Sequence, residues 1–163
     1  MSAWKGDLMR PSRLGVLLLI LLLGCSSRPP YQGRSVAELE RMLADPDPRI
    51  QTQGAYGLGL LGGEAVPAVP SLALALKAAD PLVRQQAANA LGEVGPGAAS
   101  ASADLATSLT DPEWAVRRQA AVSLGRIGPA ARSASEAGLN RCLRDPHTLV
   151  RKAAQEALAK VRG

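Results

Sequence analysis

Chemistry has few places to reside in this chain. His147 is the single histidine, and Cys25 and Cys142 are the two cysteines. An enzyme needs nucleophiles, bases or metal ligands gathered at one point of the fold. No Cys/His cluster occurs, and no Ser stands in a nucleophile-elbow setting. Gly59-Leu-Leu-Gly62-Gly63 is glycine-rich, but it closes a helical pattern and does not follow a strand as a nucleotide fingerprint would. His147 follows an Asp-Pro pair and reads as a solvent-exposed turn residue. Cys142 stands where the repeat described below places Ser108 and Ala75, so a buried packing thiol is expected. Neither catalytic residues, nor a metal site, nor a cofactor is expected, and the chain reads as a non-enzyme.

Cys25 is set apart by what precedes it. The apolar run Leu14–Leu23 is too short for a permanent transmembrane helix but suits the core of a secretory signal. Lys5, Arg10 and Arg13 supply its basic flank. Met9 opens a more typical n-region than residues 1–8 and is the expected start, with Met1 the alternative. Leu22-Leu23-Gly24-Cys25 resembles the lipobox of bacterial lipoproteins, in which the cysteine is acylated, palmitate included, and becomes the first mature residue. The resemblance implies removal of residues 1–24 and attachment to the membrane through lipidated Cys25. One acyl chain alone holds only marginally, at about 0.8 kcal/mol per buried methylene, whereas the several chains of such an anchor hold permanently. It also implies residence in the cell envelope. Ser26 and Ser27 follow, with no Asp at the second position. In a cell with two membranes this points to the outer membrane, facing the periplasm. Residues 25–34, with Pro29, Pro30 and Gly33, read as the lipidated cysteine and a flexible tether.

Composition narrows the partners. The 163 residues carry a formal charge of +5, but residues 25–163 hold 16 basic and 13 acidic side chains, a net +3. That is too mild to argue for nucleic acid. Phenylalanine is absent, and beyond residue 24 only Tyr31, Tyr56 and Trp114 are aromatic. Platforms for stacking bases, sugars or flat cofactors are therefore lacking. A core of Ala, Leu and Val favours closely packed helices.

The elements that position these residues repeat. Leu58-Gly59-Leu60-Leu61-Gly62 aligns with Leu91-Gly92-Glu93-Val94-Gly95, Leu124-Gly125-Arg126-Ile127-Gly128 and Leu158-Ala159-Lys160-Val161-Arg162, at steps of 33, 33 and 34 residues. Ile50-Gln51, Val83-Arg84, Val116-Arg117 and Val150-Arg151 keep the same steps. Asp-Pro pairs stand ahead of them at 45–46, 80–81, 111–112 and 145–146, with an extra pair at 47–48. Val83, Ala87, Ala90, Leu91 and Val94 form one apolar helical face, Gly95 stops it and Pro96 prevents its continuation. Each Asp-Pro pair is expected to open a helix, Asp as cap and Pro at the first position. Ser35-Val-Ala-Glu38 is a capping box that starts the first helix. The reading is all-α: four hairpins near 35–62, 66–95, 99–128 and 132–162, stacked as an α-solenoid over residues 35–163.

The pattern Asp-Pro…Val-Arg…Ala-Ala…Ala-Leu-Gly…Val-Gly resembles HEAT repeats, especially the short Ala- and Gly-rich type of phycobilin lyases. That resemblance implies a ladder of turn Asp and helix Arg along the stack, carried over to Asp111 with Arg117 and Asp145 with Arg151. Asp80 and Arg84 are only four apart, which implies an altered rung, and Gln51 replaces Arg in the first unit. Arg84, Arg117 and Arg151 are accordingly read as structural. Gly54 and Gly57, where the next unit has Ala87 and Ala90, reflect drift or close backbone packing, with a rearranging repeat as the alternative.

A solenoid binds through its exposed columns, above all on the concave side lined by second helices. Thr52, Gln85, Arg118 and Lys152 form one column. Tyr56, Asn89, Val122 and Glu156 form another, and Leu60, Glu93, Arg126 and Lys160 a third. The face runs from weakly apolar at the first unit to basic at the last. The candidate partner-binding residues are Arg118, Arg126, Lys152, Lys160, Tyr56 and Trp114, the last as an anchor in a turn or as packing between repeats. The gradient suits an acidic protein surface, an extended peptide or an anionic envelope polymer, and the expected role is a lipid-anchored scaffold or adaptor for a protein partner in the envelope. The alternatives are a passive structural subunit of a larger complex, and a bilin-lyase-like or other cofactor-handling enzyme subunit implied by the resemblance. Oligomeric state is left open.

Overall fold

The computed structural model describes residues 29–163. Cys25, the segment 1–24 and the choice between Met1 and Met9 lie outside the described residues. Eight α-helices follow one another: α1 Val36–Leu43, α2 Pro48–Leu61, α3 Val69–Ala75, α4 Pro81–Val94, α5 Ser102–Ser108, α6 Trp114–Ile127, α7 Arg132–Cys142 and α8 Thr148–Arg162. They pair as four hairpins, α1/α2 to α7/α8, matching the four units read from the repeat. The first three second helices each end at a glycine, Gly62, Gly95 and Gly128, with φ of 52°, 67° and 77°. Side chains avoid that left-handed region, so glycine there reverses the chain into a short 3-10 turn (Gly62–Ala68, Gly95–Ala101, Gly128–Ala131) and the next unit. Residues 48–75 are apolar enough in aggregate to imitate a membrane span, but this reversal at Gly62 splits them into α2 and α3.

The helix starts separate two kinds of Asp-Pro pair that look alike in sequence. Asp47 and Asp80 are true caps: Asp47 Oδ1 accepts from the Arg49 nitrogen at 2.8 Å, and Asp80 Oδ1 from the Leu82 and Val83 nitrogens at 2.8 and 3.2 Å. Pro48 and Pro81 then begin α2 and α4. Asp111 and Asp145 do not open helices as expected. They sit two residues before the caps Glu113 and His147, whose nitrogens donate to them at 2.9 and 2.8 Å. Asp45 does the same for the Asp47 nitrogen at 2.8 Å. Ladder position 45 is therefore matched by 78, 111 and 145, and in the second unit that position is Ala78.

Two leucine columns form the core. Leu39, Leu72, Leu105 and Leu139 come from first helices, and Leu58, Leu91, Leu124 and Leu158 from second helices; all are buried. Each such side chain contributes about 1.5–3 kcal/mol on leaving water. Second helices lie side by side at small residues. A Cβ on Gly92 would stand 3.0 Å from the Ser123 Cα, and one on Gly125 3.0 Å from the Ala157 Cα. Gly54 and Gly57 serve α1 in the same way. A Cβ on Gly54 would meet the Leu39 oxygen and Leu43 nitrogen at 2.8 Å, and one on Gly57 the Tyr31 Cβ at 2.8 Å. Close packing thus accounts for glycine at both positions, against the α1 backbone at Gly54 and against the Leu39 and Tyr31 side chains at Gly57. The segment 29–34, expected as tether, folds back here: Gln32 donates to the Pro29 carbonyl at 2.9 Å, and Tyr31 packs on the core. Burial of that ring beside Gly57 offsets the entropy a free linker would keep.

Candidate protein-binding surface

Ladder arginines hold the stack from which any binding face projects. Arg117 Nη1 donates to the carbonyls of Asp111 and Pro112 at 2.8 and 3.0 Å, in its own turn. Its Nε and Nη2 reach forward to both carboxylate oxygens of Asp145, at 2.7 and 3.0 Å. Arg84 repeats this, donating to the Ala78 and Ala79 carbonyls and, through Nε and Nη2, to Asp111 at 2.7 and 2.9 Å. The planar guanidinium thus spans two units, which the point charge of lysine could not do. The rungs join Arg84 to Asp111 and Arg117 to Asp145; within one unit, Arg117 touches only the backbone of Asp111. The sequence pairing put both partners in one unit because it counted along the chain, whereas the guanidinium spends its second edge on the neighbour. Arg151 keeps the local half alone, with Nη1 on the Asp145 and Pro146 carbonyls and Nη2 on Thr148 Oγ1.

Both paired carboxyls are held below the ordinary range. For Asp145 the Arg117 hydrogen bonds lead. For Asp111 burial pushes upward most strongly, and the bonds from Arg84 and the Glu113 nitrogen with the charges of Arg84 and Arg117 outweigh it.

Between the first two units the rung is missing from both sides. Gln51 replaces the arginine and donates to the Asp45 carbonyl at 2.7 Å, while Ala78 replaces the aspartate. A cleft of about 350 Å³ opens there, lined among others by Glu40, Leu43, Gln51, Leu74 and Ala78. Ser71 spans its side by donating to Glu40 at 2.7 Å.

The columns align as the repeat requires. Arg126 of α6 pairs with Glu93 of α4 in one column, and Gln119 donates to Asn89 at 3.1 Å beside the next. Arg118, Lys152 and Lys160 are exposed, Lys152 lying 4.0 Å from Glu156 on its own helix. Glu93 and Glu156 therefore offset Arg126 and Lys152, and Arg118 and Lys160 remain without an ion-pair partner among the described residues. Tyr56 and Leu60 form the apolar end of the face, Tyr56 edge-on to Tyr31 with centroids 4.9 Å apart. Ser123, buried in α6, donates to the Ala88 carbonyl at 2.6 Å, a link between helices that only the stacking register reveals.

Trp114 lies against the next unit. Its ring stacks on His147 at 3.9 Å and 7°, leaving it 39% exposed. His147 is half-buried, not the open turn residue expected, because it caps α8 beneath that indole. In a chain carrying Trp4→Phe, so that Trp114 is the single indole, His147→Ala should shift its emission toward that of solvated indole. Stability should fall by about 0.5–1.5 kcal/mol. An unchanged spectrum would remove the stack from solution. Cys142 is buried, with its thiol 3.7 Å from the Leu109 carbonyl, and burial pushes its pKa up. It packs as a small apolar side chain. No group of three His, Cys, Asp or Glu side chains arranged for a metal occurs among the described residues.

Residues 69–159, more than half of the chain, match the family of HEAT repeats. The chain belongs to the HEAT-repeat family. No curated protein matches it significantly in sequence. Among solved structures it resembles a designed armadillo repeat protein in complex with the peptide (KR)4, at 16% identity and a TM-score of 0.69 over 77% of this chain and 64% of that one. Human deoxyhypusine hydroxylase aligns at 29% identity and 0.63, over 82% and 46%. The complex of CpcE and CpcF of phycocyanin lyase from a Nostoc species aligns at 21% and 0.57, over 78% and 65%. The chain therefore spans less than two thirds of each of these three structures.

Proposed function

We propose that this HEAT-repeat protein is a non-catalytic scaffold of the bacterial cell envelope, anchored by acylated Cys25, whose second-helix face binds an acidic protein partner. The observation that carries this reading is the uneven charge of that face. Its last two units present Arg118, Arg126, Lys152 and Lys160, offset by Glu156 and by Glu93 of the second unit, and its first presents Tyr56 and Leu60. An extended acidic segment lying across the units would meet the cations at one end and an apolar patch at the other. The designed armadillo protein, whose complex holds a basic peptide, supports peptide recognition by a stacked-helix fold with the charge signs reversed. The likeness to phycocyanin lyase concerns the fold and adds no support for pigment handling.

Photo-crosslinking in the native host, with the reactive side chain placed at Arg118 or Lys152, should capture one discrete envelope protein. The same group at Lys77, on the α3 side, should not. Arg118→Glu with Lys160→Glu should reduce capture at Lys152 at least about tenfold, since each reversal replaces an attraction by a repulsion. Capture insensitive to those reversals would sink the charged-face reading. Anchoring is tested separately by labelled palmitate, which Cys25→Ala should fail to incorporate.

A further inference from the structure

The first and last of the described units carry the two halves of one unmade rung. At the last unit, Arg151 is already seated as Arg84 and Arg117 are, its Nη1 on the carbonyls of Asp145 and Pro146. Its Nε has no partner among the described residues, whereas the same atom of Arg84 and of Arg117 lies 2.7 Å from a carboxylate of the following unit. At the first unit, Asp45 is posed as Asp111 and Asp145 are, one oxygen accepting from the nitrogen two residues on at 2.8 Å. Its other oxygen has no partner among the described residues. Both halves are set by their own turns, so joining them requires only that Arg151 Nη2 turn from Thr148 Oγ1 to the carboxylate.

Two further observations concern the same ends. Leu143 occupies the position of Leu76 and Leu109, which the following unit covers to 5% and 3% exposure, yet it stands 40% exposed beside Arg141 and Arg144. A hollow of about 240 Å³ adjoins Asp45, lined by Arg34, Glu38, Arg41, Met42 and Ile50, with methionine and isoleucine to receive an aliphatic side chain. The ends also differ in sign: residues 29–62 hold four acidic and three basic side chains, residues 132–162 three acidic and seven basic. Opposite ends attract, and like ends repel.

We propose that copies of this chain stack head to tail, the α7/α8 end of one on the α1/α2 end of the next, with Arg151 gripping Asp45 of the following copy and Leu143 entering the hollow beside it. Tyr31 covers Gly57, so the joint engages the turn end of the first unit and buries less than an internal joint does. It is a reversible contact, more populated at higher concentration and weakened by salt. A heterologous contact of this kind closes into a ring only where the rotation between copies allows it, and otherwise builds open chains of copies.

Sedimentation velocity on the full chain in detergent tests this. Wild type should show mass rising with concentration beyond a dimer. Asp45→Arg and Arg151→Asp should each weaken association about tenfold or more, and the two together in one chain should restore it to within about threefold. Asp45→Asn keeps the acceptor that the turn uses, so it should weaken association with an unchanged melting temperature. A single monomeric species at every concentration would overturn the proposal. So would a dimer that grows no further, or association indifferent to the reversals.

Discussion

Arg117→Ala is expected to lower the unfolding free energy by about 3–5 kcal/mol, the cost of leaving a buried carboxylate without its partner. Asp145 is 7% exposed at its side chain and Arg117 14%, so water cannot replace the lost bonds cheaply. The same substitution also frees the carbonyls of Asp111 and Pro112 and unties α6 from the turn before α8. Arg117→Lys should recover only part of the loss, because an ammonium cannot hold two carbonyls and two carboxylate oxygens across a unit boundary. Arg151→Ala sets the scale, since it orphans no carboxylate among the described residues. A cost near 1 kcal/mol is expected there, from hydrogen bonds alone. Equal losses at 117 and 151 by urea denaturation would show that the inter-unit pair contributes nothing.

Acid should expose the same rung. The Asp111 and Asp145 carboxyls are lower in the folded chain than in the unfolded one. Their contribution is therefore complete above the ordinary aspartate pKa of about 4, and is lost as pH falls below it toward the depressed folded value. The melting temperature of wild type should drop across that window. In Arg117→Ala the Asp145 carboxyl loses the guanidinium that held it down, so the drop should be shallower. Parallel pH profiles for the two proteins would assign the acid sensitivity to other groups.

What could be read from the sequence was whatever recurs at the repeat step. Leu58, Leu91, Leu124 and Leu158 announce one buried column, and Gly62, Gly95 and Gly128 announce the reversals, because backbone geometry and burial impose the same residue type each time. The ladder was only half legible. Asp80-Pro81 and Asp111-Pro112 are the same dipeptide, yet the first caps a helix and the second supplies a rung. The distinction lies in the count of six residues to the arginine, which gives Ala78 for Arg84 and Asp111 for Arg117. Trp114 on His147, and Ser123 on the Ala88 carbonyl, were not legible. Such contacts depend on how far one unit rotates on the next, and no local pattern encodes that angle. Among the candidate surface residues, the column carrying Glu93 and Arg126 was legible as a column. That Glu93 takes Arg126 out of the free positive charge was not, since the pairing needs both side chains to lean along the stack.

The missing rung and the glycine columns divide the labour of holding the stack. Between the first two units there is no Arg–Asp pair, so adhesion there rests on the Ser71–Glu40 hydrogen bond, the close approach of Gly59 to Ala90 and the leucine columns. Between the later units both devices operate. Gly54 and Gly57 act inside the first unit instead, where they admit α1 and Tyr31 against α2.

Gly92→Ala brings the packing device under direct test. On helix propensity alone it should stabilise α4 by about 1 kcal/mol. In the stack the new Cβ would stand 2.5 Å from Ser123 Oγ, 2.9 Å from its Cβ and 3.0 Å from its Cα. Moving the hydroxyl relieves the first clash but breaks its bond to the Ala88 carbonyl, and the crowding against the Ser123 backbone remains. The two helices must separate, and the expected result is a net loss of about 1–3 kcal/mol by overpacking. Ser123→Gly in the same chain removes the two nearest atoms, so the double substitution should cost less than the sum of the singles, by about 0.5 kcal/mol or more in a double-mutant cycle. An additive cycle would mean that α4 and α6 do not approach at this point. A stabilised Gly92→Ala would mean that the Leu-Gly motif of the repeat is kept for some reason other than helix packing.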